Sequence, residues 1–335
     1  MHLFRTTPRA SEYVAPRVTL DVIVSVYDEA ESLPLFHAEL QRAVGQCGLL
    51  SARVRVIYVD DGSTDGSADI LDAFGRDDGV EVLHLSRNFG HEAAMLAGLD
   101  HSTADFAVLL DADLQHPPDM IAPALAAALD GHDVVLLKRA PRAAESPLRG
   151  LLTRAFYRGL DAISPIRIEP DVSDFLLVAR PVVELLQQGF RERTRFLRGL
   201  VQWVGFRRTV LTFTAAPRIA GRSKYRSWRL LSLARDATLA FSAAPLRVSF
   251  VAAAVMLLAS LAVAALSLVG WWFGSPPSGY TTIMIFLTTV AAAQFALLGI
   301  LGEYVAQLVD EAKGRPIYIV ARRTQATPRA AERAA

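Results

Sequence analysis

Short, almost uninterrupted apolar runs alternate with helical patterns over the first two thirds of the chain. The runs are residues 20–27, 54–59, 80–85, 106–110 and 133–137. Such runs are typical of strands that are covered on both faces. Between the first two runs, Leu33, Phe36, Leu40 and Val44 recur at helical spacing. The alternation predicts an α/β domain with a mostly parallel sheet over residues 18–225.

Two much longer apolar stretches follow this domain. Residues 248–273 carry no charge, and neither do residues 281–302. Each stretch exceeds the roughly 20 residues that a helix needs to cross about 30 Å of hydrocarbon. Only the segment GSPPSGY separates them, so we predict a transmembrane hairpin of helices 248–273 and 281–305 rather than two buried helices of a soluble protein. Basic residues flank its outer ends but not its turn, which predicts cytoplasmic termini.

The segments around the hairpin complete the predicted organisation. Residues 226–247 mix apolar side chains with arginines, which predicts an amphipathic helix on the inner leaflet, with packing on the soluble domain alone as the alternative. Residues 1–17 lack the apolar core of a signal peptide and are expected to form a flexible tail. Residues 307–335 are expected to form a cytoplasmic segment whose Ala/Arg-rich end, after Thr324, is disordered.

Composition and charge narrow the function classes. The hydrophobic content of 52% is above that of ordinary soluble domains, which agrees with a membrane segment. The chain has 35 basic and 34 acidic residues, so no bulk positive field recruits nucleic acid. The single cysteine, Cys47, excludes an intrachain disulfide framework and a multi-cysteine metal site, and it fits a reducing compartment.

Acidic side chains collect where the predicted strands end. They are Asp28, Glu29, Asp60, Asp61, Asp111 and Asp113. Ligands of parallel α/β sheets bind beyond the carboxyl ends of the strands, and clustered carboxylates require a cation or hydrogen-bond donors. Asp111 and Asp113 are two positions apart, so in extended chain both face one point, where hard oxygen ligands favour Mg²⁺ or Mn²⁺. By itself, however, the D-x-D pair is also typical of helix caps and solvated turns.

An ordered set of motifs carries a family resemblance. SVYDE, VDDGSTDGS, LSRNFGHEAAMLAGLD, DADLQHPPD, SDF, RFLRGLVQWVGF and GRSKY occur in that order, and LGILGEYV ends the membrane hairpin. The chain resembles the family 2 glycosyltransferases of GT-A fold, a Rossmann-like α/β domain. More narrowly, it is similar to the polyprenyl-phosphate glycosyltransferases, which include bactoprenol glucosyltransferases and dolichyl-phosphate mannose synthases. The resemblance covers roughly residues 18 to 321.

The resemblance implies an activity. The expected reaction transfers one sugar from a nucleotide-sugar, most simply UDP-linked, to a polyprenyl phosphate, with inversion at the anomeric carbon. The expected location is the cytoplasmic face of a bacterial inner membrane, with the lipid bilayer as partner and with possible homo-oligomers through the transmembrane helices. Mg²⁺ or Mn²⁺ is the implied cofactor.

The resemblance also implies roles for individual residues. Donor binding is assigned to Tyr27, Glu29, Asp60, Arg87 and Asp111. Metal binding is assigned to Asp111, Asp113 and Gln115. Catalysis is assigned to Asp174 and Asp113. Contacts with the lipid phosphate and the diphosphate are assigned to Arg195, Arg198, Ser223, Lys224 and Tyr225.

Elementary chemistry leaves several of these roles open. A phosphate monoester has a second pKa of about 6 and is largely dianionic at neutral pH, so Asp174 is expected to orient the acceptor more than to deprotonate it. A cap role for Asp174 is the alternative. For Arg87, an ion pair with the acidic cluster is as good an interpretation as substrate contact. His91 and His116 have no metal-binding spacing and are expected to be solvated or to cap helices.

The chain departs from the family pattern at three positions. Ser25 and Asp28 stand in SVYDE where relatives commonly have proline and asparagine. Leu176 follows SDF where an arginine is common, which leaves one phosphate contact to be supplied by Arg139, Arg142 or Arg180.

Two other function classes stay open. A processive polysaccharide synthase shares the GT-A core, although a QxxRW-type segment is missing here. A non-catalytic membrane scaffold with a sugar-nucleotide domain is the other class, although it would be expected to lose the carboxylates. The motifs do not identify the sugar, and UDP-glucose, UDP-N-acetylhexosamine, UDP-4-amino-arabinose derivatives and GDP-mannose all fit.

Overall fold

The computed structural model describes residues 18–48, 52–140, 169, 172–192, 196–214, 244–273 and 279–326. Several predictions fall outside these residues and stay predictions. They concern the N-terminal tail, most of the amphipathic segment, Arg195, Ser223, Lys224, Tyr225 and the residues after 326.

Eight strands form one mixed sheet. They are β1 (Val18–Val26), β2 (Ala52–Asp60), β3 (Val80–Leu85), β4 (Phe106–Asp111), β5 (Val134–Arg139), β6 (Val172–Ala179), β7 (Arg208–Phe213) and β8 (Val320–Gln325). Their order is β7-β5-β6-β4-β1-β2-β3-β8. Strands β4, β1, β2 and β3 run parallel as neighbours, while β6 and β8 pair antiparallel with the strands beside them. The predicted α/β fold is confirmed.

Helices cover both faces of the sheet. They are α1 (Leu33–Cys47), α2 (Ser67–Phe74), α3 (His91–His101), α4 (Ile121–Leu129), α5 (Arg180–Gln188) and α6 (Leu197–Trp203). Alternate β1 residues enter different cores: Val22 and Val24 pack with α1 and α4, whereas Ile23 packs with α3. Because β1 is buried on both faces, its sequence is apolar without interruption. At Gly98 a side chain would overlap Ile23, so glycine allows α3 to lie directly on the sheet.

The four segments that follow the parallel strands lie at one edge of the sheet. In the registered ladder, Ser25 of β1 pairs with Asp111 of β4, and Val26 of β1 pairs with Asp60 of β2. The segments that follow β1, β2, β3 and β4 therefore meet beyond the same ends of the sheet. These segments contain the predicted site residues Tyr27, Glu29, Arg87, Asp113 and Gln115, and the strands before them end on Asp60 and Asp111.

The C-terminal segment contributes a strand that the sequence analysis did not predict. β8 pairs antiparallel with β3, and His84 stands opposite Arg322 in the register. The sheet therefore includes residues from beyond the predicted hairpin in addition to residues of the predicted α/β domain at 18–225. β8 lies within residues 307–335, which were predicted to form a cytoplasmic C-terminal segment with a disordered end.

Two long helices precede β8. They are α7 (Ala244–Trp272) and α8 (Tyr280–Ala312), and they carry exposed apolar side chains such as Leu266 and Phe295. Within the described part of the chain, one stretch, Thr289–Ala312, is long and apolar enough to cross a membrane, and α7 adds a shorter apolar stretch, Ala254–Gly270. The two-span topology and its orientation stay predictions.

Candidate active site

His91 lies between two of the predicted acidic residues. Its Nδ1 is 3.5 Å from Asp111 Oδ1, and its Nε2 is 3.7 Å from Asp174 Oδ2. Asp174 comes from β6, and its Oδ1 is 3.7 Å from Arg198 Nε at the start of α6. The structure therefore brings three predicted residues, Asp111, Asp174 and Arg198, into one continuous chain of contacts. His91 joins them, and its side chain stays 38% exposed at the start of α3, as its predicted solvated role allows.

Asp111 is held by two further side chains. The Ser25 hydroxyl donates to Asp111 Oδ1 at 3.1 Å and lies 3.0 Å from His91 Nδ1. The His116 side chain is buried, contrary to its predicted solvated role, and its Nδ1 accepts from the Asp111 backbone amide at 3.1 Å. Ser25 thus takes part in the cluster as a hydrogen-bonding group, a role that the proline common at this position in relatives lacks. The departure from the family pattern places a hydroxyl beside the predicted metal-binding carboxylate.

The cluster has a distinctive electrostatic balance. Burial alone would lower the pKa of His91, but Asp111, Asp174 and Glu92 raise it to about 9. Burial and the nearby Asp174 raise the pKa of Glu92 to about 7. Burial also disfavours the charged form of Asp111, but the pKa of Asp111 lies below its ordinary value, mainly because of His91. The two carboxylates on either side of His91 therefore favour its protonated form.

The D-A-D-L-Q segment turns sharply after β4. Leu114 has φ +61°, a left-handed conformation that is uncommon for a bulky residue. The turn lets the backbone N–H of Gln115 donate to Asp113 Oδ1 at 3.0 Å. Gln115 itself is buried, and its Oε1 accepts from Arg139 Nη1 at 3.0 Å. The predicted metal ligands Asp111 and Asp113 therefore lie at the edge of the sheet, whereas the Gln115 oxygen is engaged by Arg139.

The loops after β1 and β2 interlock. Asp28 has φ +54°, and its Oδ1 accepts from the Thr64 amide at 2.8 Å. In return, the Asp28 amide donates to Ser63 Oγ at 3.1 Å, and the Glu29 amide donates to Ser67 Oγ at 2.9 Å. Aspartate tolerates the left-handed conformation better than most residues. The second departure from the family pattern, Asp28, thus has a structural role in joining the two loops.

The two carboxylates of VDDGS both point inward. Asp60 is 3% exposed; its Oδ1 accepts from the Ser63 amide at 2.9 Å, and its Oδ2 lies 2.9 Å from His84 Nδ1. Asp61 accepts from the amides of Phe89 and Gly90 at 2.7 and 2.9 Å. Asp61 therefore fixes the β3–α3 loop, which leads to His91, while Asp60 fixes its own turn.

Three other predicted donor-binding residues surround these loops. Tyr27 is 40% exposed at the end of β1, so its ring is accessible for stacking. Glu29 Oε2 accepts from the Ser32 hydroxyl at 2.7 Å, just before α1. The Arg87 guanidinium lies 4.0 Å from the centroid of the Phe89 ring and donates to the Asn88 carbonyl, so in the described residues it is turned to its own loop rather than to the acidic cluster.

The main residue that the sequence analysis missed is His91. Its position in NFGHEAA comes shortly after a strand, as the positions of Tyr27 and Asp113 do, and this is the signal that could have found it. His84 was missed for a different reason, because it lies within β3 and its partners come from other elements.

The chain is similar to known glycosyl transferases. The glycosyl transferase family 2 pattern matches residues 21–183. A prophage-derived bactoprenol glucosyl transferase of Shigella flexneri is 33% identical over 318 residues, which cover 92% of this chain and 99% of the relative. The prophage bactoprenol glucosyl transferase homolog of Escherichia coli K12 is 33% identical over 305 residues, 90% of this chain and 98% of the relative.

A bactoprenol glucosyl transferase of Shigella phage SfV is 34% identical over 310 residues, 90% of this chain and 97% of the relative. Among solved structures, a mannosyltransferase from Pyrobaculum calidifontis in complex with GDP-Man and Mn²⁺ is 19% identical over 86% of this chain and 87% of its own, with a TM-score of 0.42. A likeness of that size says nothing about what this chain binds. The relatives, matched over nearly their whole length, decide the assignment: the chain belongs to glycosyl transferase family 2.

Proposed function

We propose that this glycosyltransferase transfers one sugar from a nucleotide-sugar to a polyprenyl phosphate at the cytoplasmic face of a bacterial membrane, with inversion at the anomeric carbon. The observation that carries the proposal is the contact chain Asp111–His91–Asp174–Arg198 at the carboxyl edge of the sheet. These contacts of 3.5 to 3.7 Å link Asp111, proposed for the donor side, with Asp174 and Arg198, proposed for the acceptor side, which supports a single site. The names of the full-length relatives, bactoprenol glucosyl transferases, support the lipid acceptor.

The donor is proposed to lie across the interlocked loops after β1 and β2. Tyr27 offers an exposed aromatic ring for the base, and the hydrogen bond from the Ser63 backbone amide to Asp60 closes the turn after β2. The mutual hydrogen bonds of Asp28, Ser63 and Thr64 hold both loops before substrate arrives. Such preorganisation lowers the entropy cost of binding, which supports a nucleotide-sugar site here.

Asp111 and Asp113 would hold a divalent metal. Among the residues that the structure describes, no three His, Cys, Asp or Glu side chains converge as a complete ligand set. Mg²⁺ is commonly bound through one or two carboxylates together with substrate phosphates, so two aspartates fit this class of site. When bound, such an ion would neutralise the negative charge that develops on the leaving nucleoside diphosphate. We leave Gln115 out of the proposed ligand set because Arg139 engages its oxygen.

Asp174 and Arg198 are proposed to receive the acceptor. The lipid phosphate is already largely dianionic at neutral pH, so its oxygen needs alignment with the anomeric carbon more than deprotonation. Arg198 provides a guanidinium for the phosphate, and Asp174 fixes that guanidinium from the side. His91 keeps the two carboxylates apart and compensates their charge before the donor enters.

The long helices are proposed to form the membrane hairpin. Large apolar side chains such as Leu266, Trp272 and Phe295 are more than two thirds exposed along α7 and α8. Exposed apolar surface costs roughly 25 cal/mol per Å² in water, which favours a bilayer as the surroundings of both helices. A polyprenyl tail stays in the bilayer for the same reason, so the catalytic domain must meet its phosphate at the membrane surface.

The decisive test is an assay with defined substrates. Purified protein in undecaprenyl-phosphate vesicles with Mn²⁺ is supplied with UDP-glucose, UDP-N-acetylglucosamine or GDP-mannose. We expect one donor to give released nucleoside diphosphate and a sugar-phosphate lipid of the corresponding mass. Asp111→Asn should abolish both products. Absence of the glycolipid with every donor, or release of free sugar only, would overturn the proposal.

A further inference from the structure

A line of polar contacts runs inward from strand β8 at the surface to the loops after β1 and β2. Arg322 Nη1 donates to Asp72 Oδ2 at 2.6 Å, and the Thr324 hydroxyl donates to Asp72 Oδ1 at 2.7 Å. The same Asp72 Oδ1 is 3.1 Å from His84 Nε2, and His84 Nδ1 is 2.9 Å from Asp60 Oδ2. Three elements, β8, α2 and β3, thus meet at Asp72.

The contacts pass from exposed to buried side chains. The Arg322 side chain is 52% exposed, Asp72 is 22% exposed, and the His84 and Asp60 side chains are 6% and 4% exposed. An imidazole with carboxylates at both nitrogens has its ring plane fixed by both partners. Asp72 therefore sets the orientation of His84, and His84 sets the orientation of Asp60.

The inner end of the line reaches both loops of the proposed donor site. Asp60 Oδ1 accepts from the Ser63 amide, and Ser63 Oγ accepts from the Asp28 amide. A shift of the Asp60 carboxylate would therefore move the β2 loop and release a contact of the β1 loop. This coupling does not require Asp60 itself to touch the base.

The strand fits closely where it joins α2. A Cβ placed at Gly75, which follows α2, would lie 2.9 Å from Thr324 Cγ2. The opposite face of β8 has a separate partner, because Arg323 pairs with the buried Glu81. Glu81 is also 3.3 Å from Arg55 Nη1, and this second contact does not lead to Asp60. The chain thus offers a matched control on the same strand.

We propose that β8 is part of the donor site. Arg322 and Thr324, acting through Asp72 and His84, position Asp60 and the loops after β1 and β2. These four residues are positioning residues for the reaction. β8 follows the predicted membrane helix α8 and lies in the predicted cytoplasmic C-terminal segment. Nucleotide affinity then depends on residues outside the predicted domain at 18–225. The inference rests on the proposed function, since it takes the loops after β1 and β2 to hold the donor.

The test measures nucleoside diphosphate binding to the full-length protein in detergent, with UDP and GDP as probes. Arg322→Gln with Thr324→Val should weaken binding of the preferred nucleotide about tenfold, equal to about 1.4 kcal/mol. His84→Asn should cause a similar loss, and the combined variant should bind no worse than His84→Asn alone. The control Arg323→Gln should stay within about twofold of the wild type.

Kinetics give a second measurement that a purely structural role would not reproduce. In the assay with undecaprenyl phosphate, the Arg322 and Thr324 variant should raise KM for the donor and leave KM for the lipid unchanged. Arg322→Lys should recover part of the donor affinity. If the double variant fails to fold, Asp72→Asn, which preserves side-chain volume, replaces it in both measurements.

The outcomes separate this inference from the proposed function. If neither nucleotide binds, or if Asp60→Asn binds as well as the wild type, the proposed donor site is wrong. If Asp60→Asn loses binding while the variants of β8 and Asp72 keep it, the donor site stands and the role of β8 is overturned. An equal loss in Arg323→Gln would also overturn it, because β8 would then act through stability alone.

Discussion

Replacement of Gly62 by alanine should damage both stability and turnover, because two separate costs meet at this position. Gly62 has φ +68°, where alanine costs about 1 kcal/mol more than glycine. In addition, an alanine Cβ would lie 2.5 Å from the Arg87 carbonyl carbon and 2.7 Å from the Asn88 nitrogen. Carbon atoms in contact are normally about 3.5 to 4.0 Å apart, so the loop after β3 must retreat by about 1 Å.

The displaced loop is the one that carries His91. Its Phe89 and Gly90 amides donate to Asp61, and hydrogen bonds to a charged group contribute about 1.5 to 3 kcal/mol each. Weakening them should bring the total cost of Gly62→Ala to about 3 kcal/mol. A misplacement of 1 Å near reacting groups can reduce the rate about 100-fold, so kcat/KM should fall by about that factor.

Gly66→Ala is the matched control. Gly66 also has a positive φ, +92°, but a Cβ there meets no atom within 4 Å. Alanine at position 66 should therefore lower the free energy of unfolding only by the cost of its left-handed backbone conformation, about 1 kcal/mol. The difference of about 2 kcal/mol should appear as a Tm of Gly62→Ala about 4 to 8 °C below that of Gly66→Ala. If the two variants melt together and retain equal kcat/KM, the β3–α3 loop does not pack against Gly62 and the reasoning is refuted.

Three further outcomes test the site. EDTA should abolish sugar transfer and added Mn²⁺ or Mg²⁺ should restore it, whereas full activity in chelator would contradict the roles of Asp111 and Asp113. Asp174→Asn should lower kcat without an upward move of the pH optimum; rescue at raised pH would instead indicate a true base. Burial raises the pKa of Asp72, but hydrogen bonds from Thr324 and Arg322 lower it more. The stability that ionised Asp72 contributes is therefore present above pH ~4 and is lost as the pH falls through its lowered folded pKa, so the Tm difference between wild type and Asp72→Asn should vanish in acid.

The sequence predicted the centre of the sheet better than its edges. β1 and β4 are buried on both faces, so their apolar runs are unmistakable. β7 alternates between exposed and half-buried positions, and β8 contains adjacent arginines, Arg322 and Arg323. β8 is held by acidic partners, one of them 250 residues away along the chain, and such a pairing has no local signature.

The same limit applies to the site. Asp111 and Asp113 were predicted because their spacing and their position after a strand are local properties. The role of His91 depends on its 3.7 Å approach to Asp174, which β6 brings from 83 residues further along the chain. Ser25 and Asp28 could be noticed as unusual, but their partners, Asp111 and Thr64, became evident only in three dimensions.

The late position of β8 in the chain has a consequence for how the protein is made. Domains fold in part as they are synthesised, from the N-terminal side first. The Asp100 and Asp72 partners of Tyr318 and Arg322 emerge 218 and 250 residues before them. Until β8 arrives, the outer edge of β3 presents unpaired backbone groups, a template for association with other chains. Because α7 and α8 are synthesised in that interval, the sheet can close only after both apolar helices have left the ribosome.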